Sequence, residues 1–389
     1  MRHWLIPALA AVLLLNGCSW IKSWGDDEDD PDEPAKLVEF EPTLKVSEVW
    51  STGVGDGLDK AGRQLWPAYS AGTLYAADYK GLLTAVNAEN GSRRWEIKTE
   101  LPFTGGPGIS GDLLMMGTQD GEVFAFDAST GTQLWSATVT SEVLAAPAVA
   151  DGVVVVRCID GRIFGLDADT GQRLWIYDHS VPLLTLRGNA PPLLRAGVAF
   201  IGYDGGQVVA ISIDDGALMW EQTLVTTEGR TELDRLSDID GQLVFIASDL
   251  LVSSYKSRLA SLAADSGRLL WFKDISSATG VTVDRINLAL SDKDGNVWML
   301  DRRNGAESWK NDQLRNRGLT RPAFFGGFIV VGDREGYLHW INVNDGHFAA
   351  RKEAGGDGFS GPPLVVGNTL YALTRKGKLH AYRAGAALN

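Results

Sequence analysis

The chain reads as an all-β protein: an eight-bladed β-propeller of four-stranded antiparallel blades, with the N-terminal strand pairing into the C-terminal blade. Three observations predict it. The first is a repeat: an apolar residue, Asn or Asp, three residues, Gly, three residues, Trp. It reads Asn87…Gly91…Trp95, Asp127…Gly131…Trp135 and Asp167…Gly171…Trp175. Ser212…Gly216…Trp220 and Ala263…Gly267…Trp271 lack the first residue, Asp301…Gly305…Trp309 restores it, and Asn342…Gly346 ends in Ala350. The Trp spacings are 40, 40, 45, 51 and 38 residues, a period that marks repeat architectures built from one small sheet per unit. The second is the interior of each unit, which holds short apolar or alternating runs split by Gly turns and no helical period. The third lies at the ends. Residues 46–50 look like a last strand standing alone, and residues 360–383 like a unit that has lost its last strand. Joined, they make one blade that closes the ring and removes its open edges. Residues 45–384 span 340 positions, or 42.5 for each of eight blades; merging one pair around the 51-residue spacing would give seven.

Taken in order, residues 1–17 read as a lipoprotein signal peptide. Arg2 precedes an apolar run of twelve, residues 4–15, far short of the ~20 needed to span a bilayer. The run ends in Leu15-Asn16-Gly17-Cys18, which resembles a bacterial lipobox. The resemblance implies that Cys18 becomes the acylated N-terminus, and Ser19 after it implies sorting to the outer membrane. An ordinary signal peptide with a chance Cys is the plainer alternative. Residues 18–44 are expected to be a lipidated, flexible acidic tether, because 26–33 hold seven acids in eight positions and such a run extends itself. Within the propeller, 153–158 read as a buried strand, Asp160-Gly161 as a hairpin turn and 162–166 as the next strand. The segment 167–171 is a second turn, and 172–176 a strand carrying Trp175. A short strand near 145–148 opens the unit. Matching hairpin turns occur at Asp120-Gly121, Asp204-Gly205, Asp294-Gly295, Glu335-Gly336 and Lys376-Gly377. Residues 385–389 form a tail.

The repeated Trp has a physical purpose in such a ring. Trp50, Trp95, Trp135, Trp175, Trp220, Trp271 and Trp309 are expected to dock on the neighbouring blade, burying apolar surface and placing an indole N–H within reach of a backbone carbonyl.

Composition excludes several classes. There are 49 acidic against 36 basic residues, a net charge of −13, which disfavours nucleic acid. Residues 1–17 carry one Arg and no acid, so the mature chain is at −14, and the acidic run supplies seven of those charges. The propeller itself is only mildly acidic. Two cysteines exclude a disulfide scaffold and a Cys-only zinc site.

The repeat resembles that of pyrroloquinoline-quinone (PQQ) enzymes, alcohol and methanol dehydrogenases built as eight-bladed propellers. The whole chain is more similar to the BamB family, outer-membrane lipoproteins of the β-barrel assembly machinery. That resemblance covers the lipobox, tether, length and repeat number. It also covers two strings, Leu184-Thr185-Leu186-Arg187-Gly188 and residues 231–240, Thr-Glu-Leu-Asp-Arg-Leu-Ser-Asp-Ile-Asp. The resemblance implies a non-enzymatic scaffold at the periplasmic face of the outer membrane. It implies that the two loops lie side by side and hold the periplasmic domains of BamA, with other lipoproteins of the machinery and unfolded barrel precursors as further partners. The matching positions are Leu184, Leu186, Arg187, Asp238 and Asp240. Exposed Leu gives an apolar anchor, Arg a planar donor fork, and Asp can orient it or pair with the partner. Read from the residues alone, the same set equally fits an interblade seam with an internal Arg187–Asp238 ion pair.

No catalytic residue, metal site or cofactor is expected. PQQ enzymes commonly use a vicinal Cys–Cys disulfide, a bound Ca²⁺ and an Asp base; here Cys158 is alone once Cys18 is acylated. His3, His179, His339, His347 and His380 are scattered, without a ligand or triad spacing. A membrane-tethered PQQ-dependent dehydrogenase is the main alternative reading, and a ligand- or peptidoglycan-sensing propeller a third.

Overall fold

The structure is a computed structural model that describes residues 33–58, 64–182, 190–224 and 238–387. Strands pair into eight antiparallel sheets in a ring. Blade one comprises Ala68–Ser70, Thr73–Ala77, Leu82–Asn87 and Arg93–Lys98. Blade two runs from Phe103–Ser110 to Gln133–Thr138, blade three from Ala148–Ala150 to Arg173–Tyr177, and blade four from Leu193–Arg195 to Leu218–Thr223. Blades five, six and seven begin at Val244–Ile246, Val281–Val283 and Ala323–Phe325, and end at Leu269–Lys273, Glu307–Asn311 and Phe348–Glu353. In the closing blade Leu44–Gly53 pairs antiparallel with Lys378–Ala387, beside Thr369–Leu373 and Leu364–Val366. The split-blade reading and the count of eight hold, but residues 385–387, expected in the tail, belong to the closing strand, with Ala387 opposite Leu44. Blade two carries an addition: Gln64–Leu65 lies parallel against Gly105 and Gly106.

The turn chemistry of the repeat is visible at Asp127. Its Oδ1 accepts N–H bonds from Ser129 (3.0 Å) and Thr130 (2.8 Å), and the Gly131 N–H donates to the Asp127 carbonyl (2.8 Å). Hydrogen bonds from the Ser129 and Thr130 side chains and from the Thr130 N–H hold this carboxyl below its ordinary range. Where Ser212 or Ala263 replaces the acid, the backbone bond from Gly216 or Gly267 persists. The Gly therefore sustains the turn and the acid only reinforces it.

Each Trp reaches forward across a seam. Trp50, Trp95, Trp135 and Trp175 donate Nε1–H to the carbonyls of Ala88, Ala128, Ala168 and Ile213, at 3.2, 3.0, 2.9 and 2.8 Å. Trp220 and Trp309 do the same to Ala264 and Val343, at 3.0 and 2.7 Å. Trp271 takes the same place, but its N–H meets no acceptor. Each ring lies on the turn Gly of the next blade: a Cβ at Gly171 would stand 2.5 Å from Trp135, and one at Gly267 2.6 Å from Trp220. The Gly thus serves twice, for its left-handed φ of +72° at Gly171 and for the close approach of the indole.

Ala350 has a structural explanation. Opposite each Trp on the adjacent strand stands a smaller residue: Ala85, Ala125, Gly165, Ala210, Ser261, Met299 or Ala381. In blade seven the pair is reversed, with Trp340 opposite Ala350. The following blade is the one split between the chain ends, so it has no Asp–Gly turn for a Trp to cover. Trp340 is fully buried instead, edge-on to Tyr382 at 6.0 Å.

The packed body begins at Ala35, ahead of the boundary at 45 expected from composition. Leu37, Val38 and Phe40 pack on the core of blades six and seven. Two arginines clip this strap. Arg317 donates to the Ala35 carbonyl (2.9 Å), and Arg351 to that of Val38 (3.0 Å) while stacking 5.0 Å from Phe40. Behind them, Arg317 Nε donates to Asp333 (2.7 Å), and His339 bridges Asp333 (3.0 Å) and Arg351 (3.2 Å). Because Arg351 donates to His339 Nδ1, the ring carries its proton on Nε2, and burial pulls its pKa down so that it stays neutral. A flexible tether is therefore retained as an expectation only for residues before 35.

Candidate functional site

The hairpin turns and the long interblade connections share one face of the ring. There, blades three to five bring charged side chains together under the surface. Arg157 ends the second strand of blade three and is 1% exposed. Its guanidinium lies 3.7 Å from Asp204 on the hairpin turn of blade four, 5.3 Å from the Tyr203 ring, and within 3.4 Å of the Ala190 carbonyl. Tyr203 is fixed in turn by His179, ring centroids 4.0 Å apart, and by its hydroxyl donating to Gly161 O at 3.0 Å. Asp238 and Asp240 complete the group from the connection between blades four and five.

Asp238, expected at a partner surface, is 1% exposed, and its carboxylate accepts the Gly205 N–H at 3.1 Å. It faces inward, because the hairpin turn of blade four needs an acceptor for the Gly205 N–H. Asp240 is half-buried and one of its carboxylate oxygens has no donor. Leu184, Leu186 and Arg187 lie outside the described residues, as do Cys18 and residues 231–237 of the second string.

Among the described residues, Arg157 faces two buried acids, Asp204 and Asp238, and the half-buried Asp240. Burial, with Asp238 nearby and against the pull of Arg157, raises Asp204 to about 6. Burial, together with the charges of Asp238 and Asp204, raises Asp240 to about 7. A carboxyl raised on folding binds its proton more tightly in the folded state. Its stabilising protonation is complete below about pH 4 and is lost as pH climbs to about 7. Asp240→Asn is therefore expected to match the wild type in a melt at acidic pH and to exceed it by about 1–3 kcal/mol in mildly alkaline buffer, once the buried charge is gone. An advantage no greater in alkali than in acid would refute this account.

Cys158 sits in the same blade as Arg157, 1% exposed, and burial raises its thiol to about 11. It is expected to resist iodoacetamide in the native protein and to react fully on unfolding; alkylation of the folded chain at the rate of a free thiol would contradict that. Among the described residues no group of three or more His, Cys, Asp or Glu is placed to hold a metal ion.

A second feature escaped the reading of the sequence. The outermost strands of blades two to five turn apolar side chains to solvent: Leu134 is 53% exposed, Leu174 51% and Met219 54%, with Leu218, Leu270 and Phe272 also exposed. Leu134, Leu174, Met219 and Leu270 each precede the repeat Trp; Arg94 and Ser308 stand there in blades one and six, and Val49, also exposed, in the closing blade. Lining up the residue before each Trp would have exposed this asymmetry. Two of these strands, Arg173–Tyr177 and Leu218–Thr223, run directly into the connections that hold the two strings.

The profile of the family described as outer membrane protein assembly factor BamB matches residues 79–311. The chain belongs to the BamB family. A BamB from Pseudomonas aeruginosa is 47% identical over 98% of this chain and 99% of its own length. The crystal structure of BamB from Moraxella catarrhalis superposes with a TM-score of 0.80 at 31% identity, covering 87% of this chain and all of that one. Quinohemoprotein alcohol dehydrogenase from Comamonas testosteroni also superposes, with a TM-score of 0.69 over 87% of this chain and 76% of its own, but at 13% identity; that likeness is one of fold. The BamB family therefore shares its ring with enzymes without thereby sharing their chemistry.

Proposed function

We propose that this chain is a non-enzymatic scaffold of outer-membrane β-barrel assembly, anchored through acylated Cys18 at the periplasmic face. It supports insertion of barrel proteins by holding the periplasmic domains of BamA. The observation that carries this reading is the run of exposed apolar residues on four successive blades, two to five, continuous in sequence with the connections bearing Leu184, Leu186 and Arg187. Solvent-facing Leu and Met along edge strands are costly on a free surface and suited to a protein partner. Asp238 contributes by positioning: its bond to the Gly205 N–H ties the connection after blade four to blade four's own hairpin turn. Asp240, half-buried at the edge of the same group, is the acid better placed to meet a partner.

Capture of BamA periplasmic domains by the full chain tests the proposal. Leu184→Ala, Arg187→Ala and Leu174→Glu are each expected to weaken capture while leaving the melt unchanged. Equal capture by all three folded variants would move the interface elsewhere. Tight binding of PQQ with Ca²⁺ and reduction of a dye would replace the scaffold with the tethered dehydrogenase. A Cys18→Ala chain that still fractionates with outer membranes would overturn the anchor.

A further inference from the structure

The innermost strands of seven blades, or the residues just before them, surround a cavity of about 420 Å³ at the centre of the ring. Its wall mixes polar and apolar surface; the apolar part comes from prolines such as Pro107 and Pro147, Leu194 and the Trp66 indole. Arg321 is the one charged side chain in that wall. At the matching place ahead of the inner strand other blades have Trp66, Gly106, Ala146 or Pro191, so the cation is specific to blade seven.

Arg321 makes no side-chain hydrogen bond or ion pair among the described residues, and its Nε is buried without an acceptor. Burial lowers its pKa to about 10. Gln64, on the same wall, has a buried side-chain oxygen without a donor. A half-buried guanidinium with no counter-charge and an Nε cut off from water is unfavourable, and so is an orphaned amide oxygen. One cavity thus holds an unmet cation, an unmet acceptor and a partly apolar wall, at a volume within the range of small-ligand pockets.

We propose that the axial cavity binds an apolar acylamino carboxylate, its carboxylate paired with Arg321, its amide N–H donated to Gln64 and its side chain against Trp66 and the prolines. A free acylamino acid and the C-terminal residue of a polypeptide share this chemistry. Guanidinium and carboxylate match as a two-bond fork, which a lysine would not reproduce. The site lies at the centre of the ring, away from the outer-strand rim, and stands independently of the scaffold reading.

Titration calorimetry on the full chain, at fixed ionic strength, tests it with N-acetylphenylalanine, its uncharged amide, inorganic phosphate, and one short peptide ending in phenylalanine with a free or an amidated C-terminus. Saturable binding of N-acetylphenylalanine is expected, with the amide at least about tenfold weaker and phosphate weaker still. A free-ended peptide that binds as tightly identifies a chain terminus as an accepted source; one that fails restricts the site to small acids. Arg321→Gln is expected to lose at least about tenfold in affinity, with Arg321→Lys between it and the wild type. Gln64→Glu replaces the acceptor with a carboxylate in the same wall, which repels the ligand's own, and is expected to weaken binding at least about tenfold; this keeps the test alive if Arg321→Gln does not fold. Equal binding of the amide, binding of phosphate as tight as that of the acid, or no saturable binding of any probe would each overturn the proposal.

Discussion

Trp135→Ala is expected to destabilise the chain by about 3–5 kcal/mol, the range for removing a buried large aromatic. Three contributions disappear together. The indole is 8% exposed and packs in the cluster shared by blades two and three. Its N–H loses the bond to the Ala168 carbonyl, and its face leaves Gly171, whose missing Cβ makes room for the ring. Neither neighbour can refill the space, since the turn is held by its own hydrogen bonds and Gly171 has no side chain to move. Trp271→Ala is the internal comparison: with no indole hydrogen bond to lose, its cost is expected to be about 1 kcal/mol smaller. Denaturant melts of the two variants measure both numbers. A loss below about 1 kcal/mol for Trp135→Ala would remove the Trp from any account of blade cohesion.

The second large effect is expected at Arg317. Arg317→Ala removes one partner from a buried ion pair, which typically costs about 3–5 kcal/mol because the remaining charge is stranded. Arg317, Asp333 and His339 are all essentially inaccessible to solvent. Burial pushes Asp333 toward protonation, yet the bonds from His339, the Tyr337 N–H and Arg317 outweigh it and hold the carboxyl low. Without Arg317 that balance fails, and Asp333 must draw a proton onto itself or onto His339. The strap also loses its bond at Ala35, so trypsin is expected to cut faster at the neighbouring Lys36, well before global unfolding. Arg317→Lys restores the charge but not the fork that reaches Asp333, Glu335 and Ala35 together, and should recover only part of the protection. Unchanged cleavage at Lys36 in Arg317→Ala would show that the strap is held by its apolar contacts alone.

Much of this molecule could be read before folding was considered. The turn Gly, the Trp four residues after it and the leftover strand at residues 46–50 are local patterns, set by left-handed φ, strand alternation and the need to close a ring. They carried the fold class, the blade count and the positions of seven Trp. The resemblance to the BamB family added Asp238 and Asp240, but nothing in their sequence says which way a carboxylate points.

What only the tertiary structure decided lies between distant segments. Asp238 faces inward because the hairpin turn at Gly205, 33 positions earlier, offers an N–H. Residues 35–43 dock because Arg317 and Arg351, 282 and 313 positions beyond the carbonyls they meet, present donors to their backbone, whereas composition treats the segment as an extension of an acidic spacer. Arg321 and Gln64 share a cavity only because the ring brings the two ends of the chain to one axis. The opening feature, a repeat that fails at Ala350, is not decay: Trp340 takes over the volume because the next blade, split between the termini, has no turn to cover. Short-range periodicity encodes the blade. The seams, the strap and the axis follow from ring closure, which places side chains together without regard to their separation in sequence.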